Sequence, residues 1–486
     1  MSIATADLPR LARKGTASKP GILHIGPGAF FRAFNAVYTH DAMQVENGDW
    51  GIAAVSMRSG TPHAQLAPQG GVYTSVTLSP EGLVPRVISS ICDVFPPANP
   101  YEVVSFIDDA DIRIVSLTIT EKGYCYDPVT GGLDLAHPDI QRELEMRQDE
   151  IVKTVPGLIT CALRRLRDVG KAPFTVLSCD NTPSNGKVAR AVVEGFAREI
   201  DPDLAHWIAE NVAFPSTMVD RITPATTEDD LARLGEETGY YDPAAVFHEP
   251  FSQWVIEDDF PQGRPAWDKV GAQMVASVEA HETMKLRCLN GTHSTLAYLG
   301  YLAGHETIAD VVSNPEFASF CNYLWSNEIV PTVPPPEGQD LAAYTFALME
   351  RYRNPSIRHR TWQIAMDGSQ KLPQRILGTI RDRMADGVMP EGLCLGVAAW
   401  MRYVGGFDEH GNAIDVRDPL AERLRALSDS AEGAEEKVSA LLTVEDVFGT
   451  DLPRSEPFHN CVTRAYQRLL NDGAAVSVAR FPETGP

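Results

Sequence analysis

The sequence predicts an α/β domain with a mostly parallel sheet, followed by a mainly α-helical domain. Three observations predict it. Short β-rich runs alternate with amphipathic helical stretches through the first half. After about residue 277 the β-rich runs nearly vanish, and long segments apolar at helical spacing replace them. The 486 residues, 44% of them hydrophobic, suffice for two or three domains with ordinary cores. The boundaries read from this change are 1–276 and 277–486.

In chain order, strands are expected at 21–26, 51–56, 86–90, 113–118, 174–179 and 216–222, with a further candidate at 251–256. These runs are rich in β-branched residues. Segment 151–170, IVKTVPGLITCALRRLRDVG, is amphipathic and reads as a connecting helix. In the second half, helices are expected at 284–304, 308–328, 340–353, 371–386, 392–404, 418–428 and 458–472. PTVPPPEG (331–338) and DSAEGAEE (429–436) read as loops between them.

The net charge of −23 argues against a nucleic-acid or anionic-membrane partner, since both require basic patches. A small anionic substrate needs only two or three local cations and stays open. The eight cysteines form no CxxC pair and read as reduced thiols. The N-terminus has no apolar signal-peptide core, and no run approaches the roughly 18 apolar residues of a membrane span. The expectation is a soluble, cytoplasmic monomer or small homo-oligomer.

The first strand runs into HIGPGAFFRAF. Gly26 and Gly28 match the first two glycines of a GxGxxG loop, and Phe31 takes the third position. The first two allow a tight turn and a close backbone approach to a pyrophosphate. Losing the third predicts looser helix–strand packing. A plain strand-to-helix turn is the alternative. The second strand ends VSMRSG, with Ser56 and Arg58 where a ribose-binding acid is expected. An arginine there suits a 2′-phosphate or a solvated loop, so NAD and NADP both stay open.

Asp180 and Asn181 follow the strand at 174–179, at a carboxyl end where open α/β sheets bind ligands. Asx residues also build ordinary turns. Farther on, MKLRCLNGTHSTLAYLG (284–300) places Lys285, Asn290 and His293 in an apolar helical segment. At about 100° per residue Asn290 and His293 share a face, with Lys285 about 80° around from His293. Lys285 snorkelling to water and His293 as a satisfied core histidine is the bland reading. Together the three suit alcohol oxidation. A lysine buried beside a cationic nicotinamide has its ammonium form disfavoured twice, which moves it from about 10.4 toward the roughly 7–8 useful to a general base. Asparagine amides stabilise the forming alkoxide without a metal, and His293 orients the reacting oxygen. Zinc is not expected, because His281 and His293 are twelve residues apart and Cys288 has no partner cysteine.

KLRCLNGTHS resembles the Lys-x4-Asn-x2-His signature of the polyol-specific long-chain dehydrogenases, the mannitol dehydrogenase family. The loop pattern GxGxFxR of that family is matched by Gly26, Gly28, Phe30 and Arg32. SLTITEKGY (116–124), SCDN (178–181) and TMVDRITP (217–224) are similar as well, so the resemblance spans nearly the whole chain. It implies a Rossmann-type N-terminal domain, a helical C-terminal domain, a cleft between them, and NAD as cofactor without a metal, NADP not excluded. It also implies Lys285 as base, Asn181 and Asn290 as oxyanion donors, His293 beside them, and Glu282 in proton relay. Val219 and Asp220 fall on substrate-contacting positions. Cofactor contacts fall on Gly26, Gly28, Phe30, Arg32, Ser56, Arg58, Thr118 and Glu121.

Segments 249–260, 267–273, 354–375 and 400–416 resemble the branch of the family that acts on the sugar acid D-mannonate. Mannitol-specific members show Arg-x2-His-Asp-Gly-x2-Lys where this chain reads QIAMDGSQK; Gln363 and Met366 replace the Arg and His, and Lys371 remains. Relatives also commonly carry histidines where this chain has Phe31 and Phe34. A sugar acid needs a cation for its carboxylate. Arg358, Arg360 and Lys371 are the candidates, with solvated helix faces as the plainer reading of the arginines. The expected activity is NAD(P)-dependent interconversion of D-mannonate and D-fructuronate. The alternatives are a polyol 2-dehydrogenase acting on mannitol or D-arabinitol, and a nucleotide-binding sensor that kept the fold.

Overall fold

Five strands line up side by side in the first of two units. The structure is a computed structural model that describes residues 8–97, 100–145 and 153–481, and its chain divides into Met1–Glu279 and Ala280–Pro486. The five are β1 (Pro20–Ile25), β2 (Gly51–Val55), β3 (Ile91–Val94), β4 (Ile114–Leu117) and β5 (Thr175–Ser178). They run parallel in the order β3-β2-β1-β4-β5. Helices such as Pro100–Asp109 and Val155–Asp168 connect them. The first unit is a Rossmann-type domain. Four of its five sheet strands are buried along nearly their whole length, which is why they read as unbroken apolar runs. The strand order reverses between β1 and β4, and the crevice at the carboxyl ends there is where such sheets take ligands.

The expected strand at 86–90 is corrected. Residues Gly82–Ile88 form a hairpin with Tyr73–Ser79, in antiparallel register from Tyr73 opposite Ile88 to Ser79 opposite Gly82. The third parallel strand is instead Ile91–Val94. The hairpin turn SPEG (79–82) carried the signal, and Gly82 adopts a φ of +139° there. The hairpin is joined in parallel by Val246–His248. Thr217–Asp220 and Gln253–Glu257 pair antiparallel, with Gln273–Val275 alongside.

The second unit is helical and is organised around Glu391–Val404, twelve of whose residues are buried. This helix packs on Thr292–Leu302 and on Glu456–Ala479. A Cβ on Gly396 would lie 2.9 Å from the Thr295 side chain, so glycine there permits the close crossing. Glu328 closes its N-terminus, accepting from the N–H groups of Gly392 and Leu393 at 2.7 Å each. The loop expected at 429–436 is shorter than read. A helix begins at Gly433, because Ala434, Val438, Leu441 and Leu442 recur at helical spacing and are buried. Three expected helices contain π-helical turns, at Lys285–Gly291, Leu324–Ile329 and Pro373–Leu377. Among the described residues no helix is long and apolar enough to cross a membrane.

Candidate functional site

The glycine loop leaves β1 at Ile25. Gly26 has a φ of +96°, and a Cβ there would sit 2.2 Å from the Thr118 carbonyl oxygen, so both conformation and space require glycine. Gly28 is exposed at the start of the helix Ala29–Ala33. Behind the loop, His24 is fully buried, with Nδ1 2.8 Å from Ser116 Oγ and Nε2 3.0 Å from Thr118 Oγ1. Thr118 donates in turn to the Gly26 carbonyl at 2.7 Å. Burial pushes His24 down to about 3, so the ring is neutral at pH 7.

Phe31 does not loosen the packing, contrary to the sequence expectation. Its ring lies flat on His24 with centroids 3.5 Å apart. The helix breaks at Phe34, with φ −130° and ψ −86°, and the interruption lets a large ring stand where a straight helix would need glycine. Arg32 is also buried and donates to the Pro27 carbonyl at 2.8 Å, so it braces the loop. Phe30 stacks on Phe34 at 5.1 Å. Ser56 Oγ accepts from the Ser59 amide at 3.2 Å, while Arg58 and Glu121 are exposed. An exposed, side-chain-free Gly28 at the switch point of a parallel sheet fits a dinucleotide pyrophosphate.

At the end of β5 the Asx cluster is a built junction. The Asp180 carboxylate accepts from the Ile119 amide (3.0 Å), the Thr120 amide (2.9 Å) and the Tyr124 hydroxyl (2.7 Å). Burial raises its pKa, and these three bonds oppose the rise. Asn185 donates to the carbonyls of Asp180 and Thr217 at 2.9 Å each and accepts from the Thr217 amide at 2.9 Å. One carboxylate and one amide thus tie the SLTITEKGY, SCDN and TMVD motifs together. Asn181 stands exposed at this junction, and Val219 and Asp220 are buried nearby in the strand Thr217–Asp220. Sequence reading missed Tyr124 and Asn185 as supports, although both lie inside or beside the quoted motifs.

In the second unit, Lys285 and Asn290 fall within one π-helical segment, Lys285–Gly291. The α-helical geometry assumed from sequence is corrected here. Residues five apart stand roughly 140° apart on an α-helix. The i→i+5 ladder instead sets Asn290 about one turn beyond Lys285, on the same side. The carbonyls disturbed by the wider turn find side-chain donors. Cys288 O accepts from Trp325 Nε1 at 2.8 Å and Thr292 Oγ1 at 2.6 Å, and Leu289 O accepts from the Tyr352 hydroxyl at 2.9 Å. Tyr352 also stacks on His293, centroids 5.2 Å apart. Gly291 lets the segment approach Pro373–Leu377, since a Cβ would be 2.7 Å from the Arg375 carbonyl oxygen. His293 is buried, whereas Glu282, Lys285 and Asn290 are half-buried.

The surroundings of His293 are strongly cationic. Burial first, then His359, Arg375, Arg351 and Lys371, hold its pKa well below the usual imidazole range. His359 meets it edge-on at 4.6 Å and is itself pushed down to about 4 by burial and the same three cations. Lys371 is lowered to about 8 by burial and Arg375, against the opposing pull of Asp367 and Asp418. Its Nζ donates to Met366 O at 2.5 Å and Ile364 O at 3.4 Å. Arg358 and Arg360 are exposed, and Arg360 pairs with Glu306 at 3.6 Å. Of the three carboxylate candidates, Lys371 therefore lies near His293. Sequence reading passed over Arg351, Tyr352, His359 and Arg375. Among the described residues no three His, Cys, Asp or Glu side chains are grouped to hold a metal ion.

Residues 20–269 match the mannitol dehydrogenase Rossmann domain, and 277–470 match the mannitol dehydrogenase C-terminal domain. The chain is 48% identical to D-mannonate oxidoreductase of Escherichia coli K12 over 94% of its own length and 95% of that protein's. It is 39% identical to a mannitol 2-dehydrogenase of Aspergillus fumigatus over 96% of its length and 94% of that protein's. Mannitol 2-dehydrogenase of Pseudomonas fluorescens, solved as a ternary complex with NAD and D-mannitol, matches in structure with a TM-score of 0.83. That match has 37% sequence identity and covers 100% of this chain and 96% of that one.

Proposed function

The chain belongs to the mannitol dehydrogenase family and is an oxidoreductase, and we propose that it interconverts D-mannonate and D-fructuronate with NAD(P). The observation that carries the choice of a sugar acid is the pair of half-buried cations beside His293, Lys371 and Arg375. Buried cations cost several kcal/mol unless an anion matches them, and an aldonate or uronate brings one. Similarity over nearly the full length to a D-mannonate oxidoreductase supports the same reading.

In this proposal Lys285 takes the proton of the substrate hydroxyl, and Glu282, one turn earlier, relays it onward. Asn181 and Asn290 donate to the alkoxide as its charge forms. His293, kept neutral by burial and its cationic neighbours, binds the reacting oxygen without adding a competing charge. Val219 and Asp220 contact the substrate, and Lys371 attracts its carboxylate. Gly26 and Gly28 admit the pyrophosphate, on a loop braced by Arg32 and Thr118. Phe30, Ser56, Arg58 and Glu121 are proposed as further cofactor contacts. When bound, the nicotinamide ring accepts or returns the hydride; no metal is assigned to the reaction.

The test is a steady-state panel of D-fructuronate and D-fructose with NADH and with NADPH. Turnover of D-fructuronate must exceed that of D-fructose; equal or lower turnover removes the sugar-acid assignment. A polyol 2-dehydrogenase is the second reading, favoured by the likeness to the solved mannitol 2-dehydrogenase. It predicts mannitol or D-arabinitol oxidation and little harm from Lys371→Ala.

A further inference from the structure

We propose that Arg375 is the residue that reads the substrate carboxylate and thereby separates sugar acids from polyols. This rests on the sugar-acid reading above: Lys371 adds its charge nearby, and Arg375 is the side chain that pairs with the carboxylate.

Four observations support it. The Arg375 side chain is set deep in the helical unit, yet the residue keeps an accessible edge. Its only hydrogen bond among the described residues is NH1 to the neutral Ser294 hydroxyl, at 3.2 Å. No Asp or Glu among the described residues pairs with it, and the groups that act on its charge are the burial itself and the hydroxyls of Tyr298 and Tyr352. A guanidinium has five N–H donors, so most of the fork is uncommitted. Ser294 directly follows His293, which anchors the fork next to the residue proposed to hold the reacting oxygen.

The other cations are less suited. The Lys371 ammonium is already directed at two backbone carbonyls. Arg360 is paired with Glu306, and Arg358 is exposed with a left-handed φ of +46°. Arginine also matches the planar, two-oxygen geometry of a carboxylate better than lysine does. The π-helical turn Pro373–Leu377 carries Arg375, and its carbonyl lies where Gly291 leaves room. The Lys285–Gly291 turn and the carboxylate reader are therefore held in register by one backbone contact.

The experiment compares wild type, Arg375→Gln and Arg375→Lys with NADH on D-fructuronate and D-fructose, two ketoses that differ in a terminal carboxylate. Arg375→Gln is expected to raise KM for D-fructuronate about 10- to 100-fold, the scale of a lost charged hydrogen bond. KM for D-fructose is expected to change less than about threefold, and Arg375→Lys to fall between. Equal shifts for both substrates, or an unchanged KM for D-fructuronate, overturn the assignment. Should Arg375→Gln lose its cooperative thermal transition, Arg375→Lys decides on the same two criteria, with at least a fivefold rise expected for D-fructuronate alone. If the wild type turns over neither D-fructuronate nor D-mannonate, the functional reading fails separately. Calorimetric titration of D-mannonate and D-gluconate into the NADH-bound enzyme then decides. Binding that Arg375→Gln abolishes supports the carboxylate role, and no aldonate binding to the wild type removes it.

Discussion

Lys285 and Lys371 have different proposed duties, and the difference is testable side chain by side chain. Lys285→Ala should cut turnover by about 10²- to 10⁴-fold, the range for a lost general base, while fluorescence titration shows NADH affinity nearly unchanged. A parallel loss of NADH affinity would make it a binding residue instead. Lys371 predicts a pH effect. With its folded-state pKa lowered to about 8, the ammonium is present below that pH and is lost above it. Its attraction for a carboxylate should therefore fade between about pH 7 and 9. An arginine such as Arg375 does not deprotonate in that range, and His293 and His359 are already neutral. The ratio of KM for D-fructuronate to that for D-fructose should rise across the window, and a flat ratio would remove Lys371 from substrate binding. Asn290→Ala and Asn181→Ala should each cost on the order of 10² or more in kcat, as one oxyanion donor does.

At the scale of elements, the π-helical turn is what makes Lys285 and Asn290 neighbours. Its stability depends on groups far along the chain: Trp325 and Tyr352 satisfy the carbonyls it disturbs, and Gly291 admits the backbone of Arg375. Gly291→Ala places a methyl group 2.7 Å from a carbonyl oxygen that has no side-chain freedom to yield. Overpacking of that kind costs about 1–3 kcal/mol. The variant should unfold several degrees lower in calorimetry and show a raised KM for the sugar acid, because the contact also holds Arg375. An unchanged midpoint would mean that the two turns adapt independently. The sequence signalled a helix here through its apolar spacing, but nothing local distinguishes an i→i+5 turn from an i→i+4 one. The same holds for Phe31, which packs on His24 because the helix breaks at Phe34, three residues farther on.

Across the whole molecule, acid should be destabilising. His24 and His248 are pushed down to about 3, and His40 and His359 to about 4, each chiefly by burial. Their ordinary value is 6.5, so the unfolded chain binds protons that the native state refuses. The stability they contribute is full above about 6.5 and is lost as pH falls toward 4. Glu328 acts in the opposite sense, since burial raises it to about 7 and its contribution declines through that pH. With His281 and His293 also lowered, and Asp180, Glu143 and Glu409 also raised, six histidines stand against four carboxylates, which predicts that the thermal midpoint drops between pH 6.5 and 4.5. A maximum near pH 5 would contradict this balance.

The sequence alone determined the two-unit plan, the parallel sheet and the apolar helix that carries Lys285, Asn290 and His293. Burial on both strand faces, helical apolar spacing and the glycine φ requirement are written in short stretches of chain, and 21–26, 113–118 and KLRCLNGTHS carried them. Only the tertiary structure decided which cations gather round His293, that Asp180 and Asn185 tie three motifs into one junction, and that Lys285 and Asn290 share a side. Those outcomes depend on groups brought together from distant parts of the chain, and on whether a charge finds an acid beside it. No pattern within one segment encodes them.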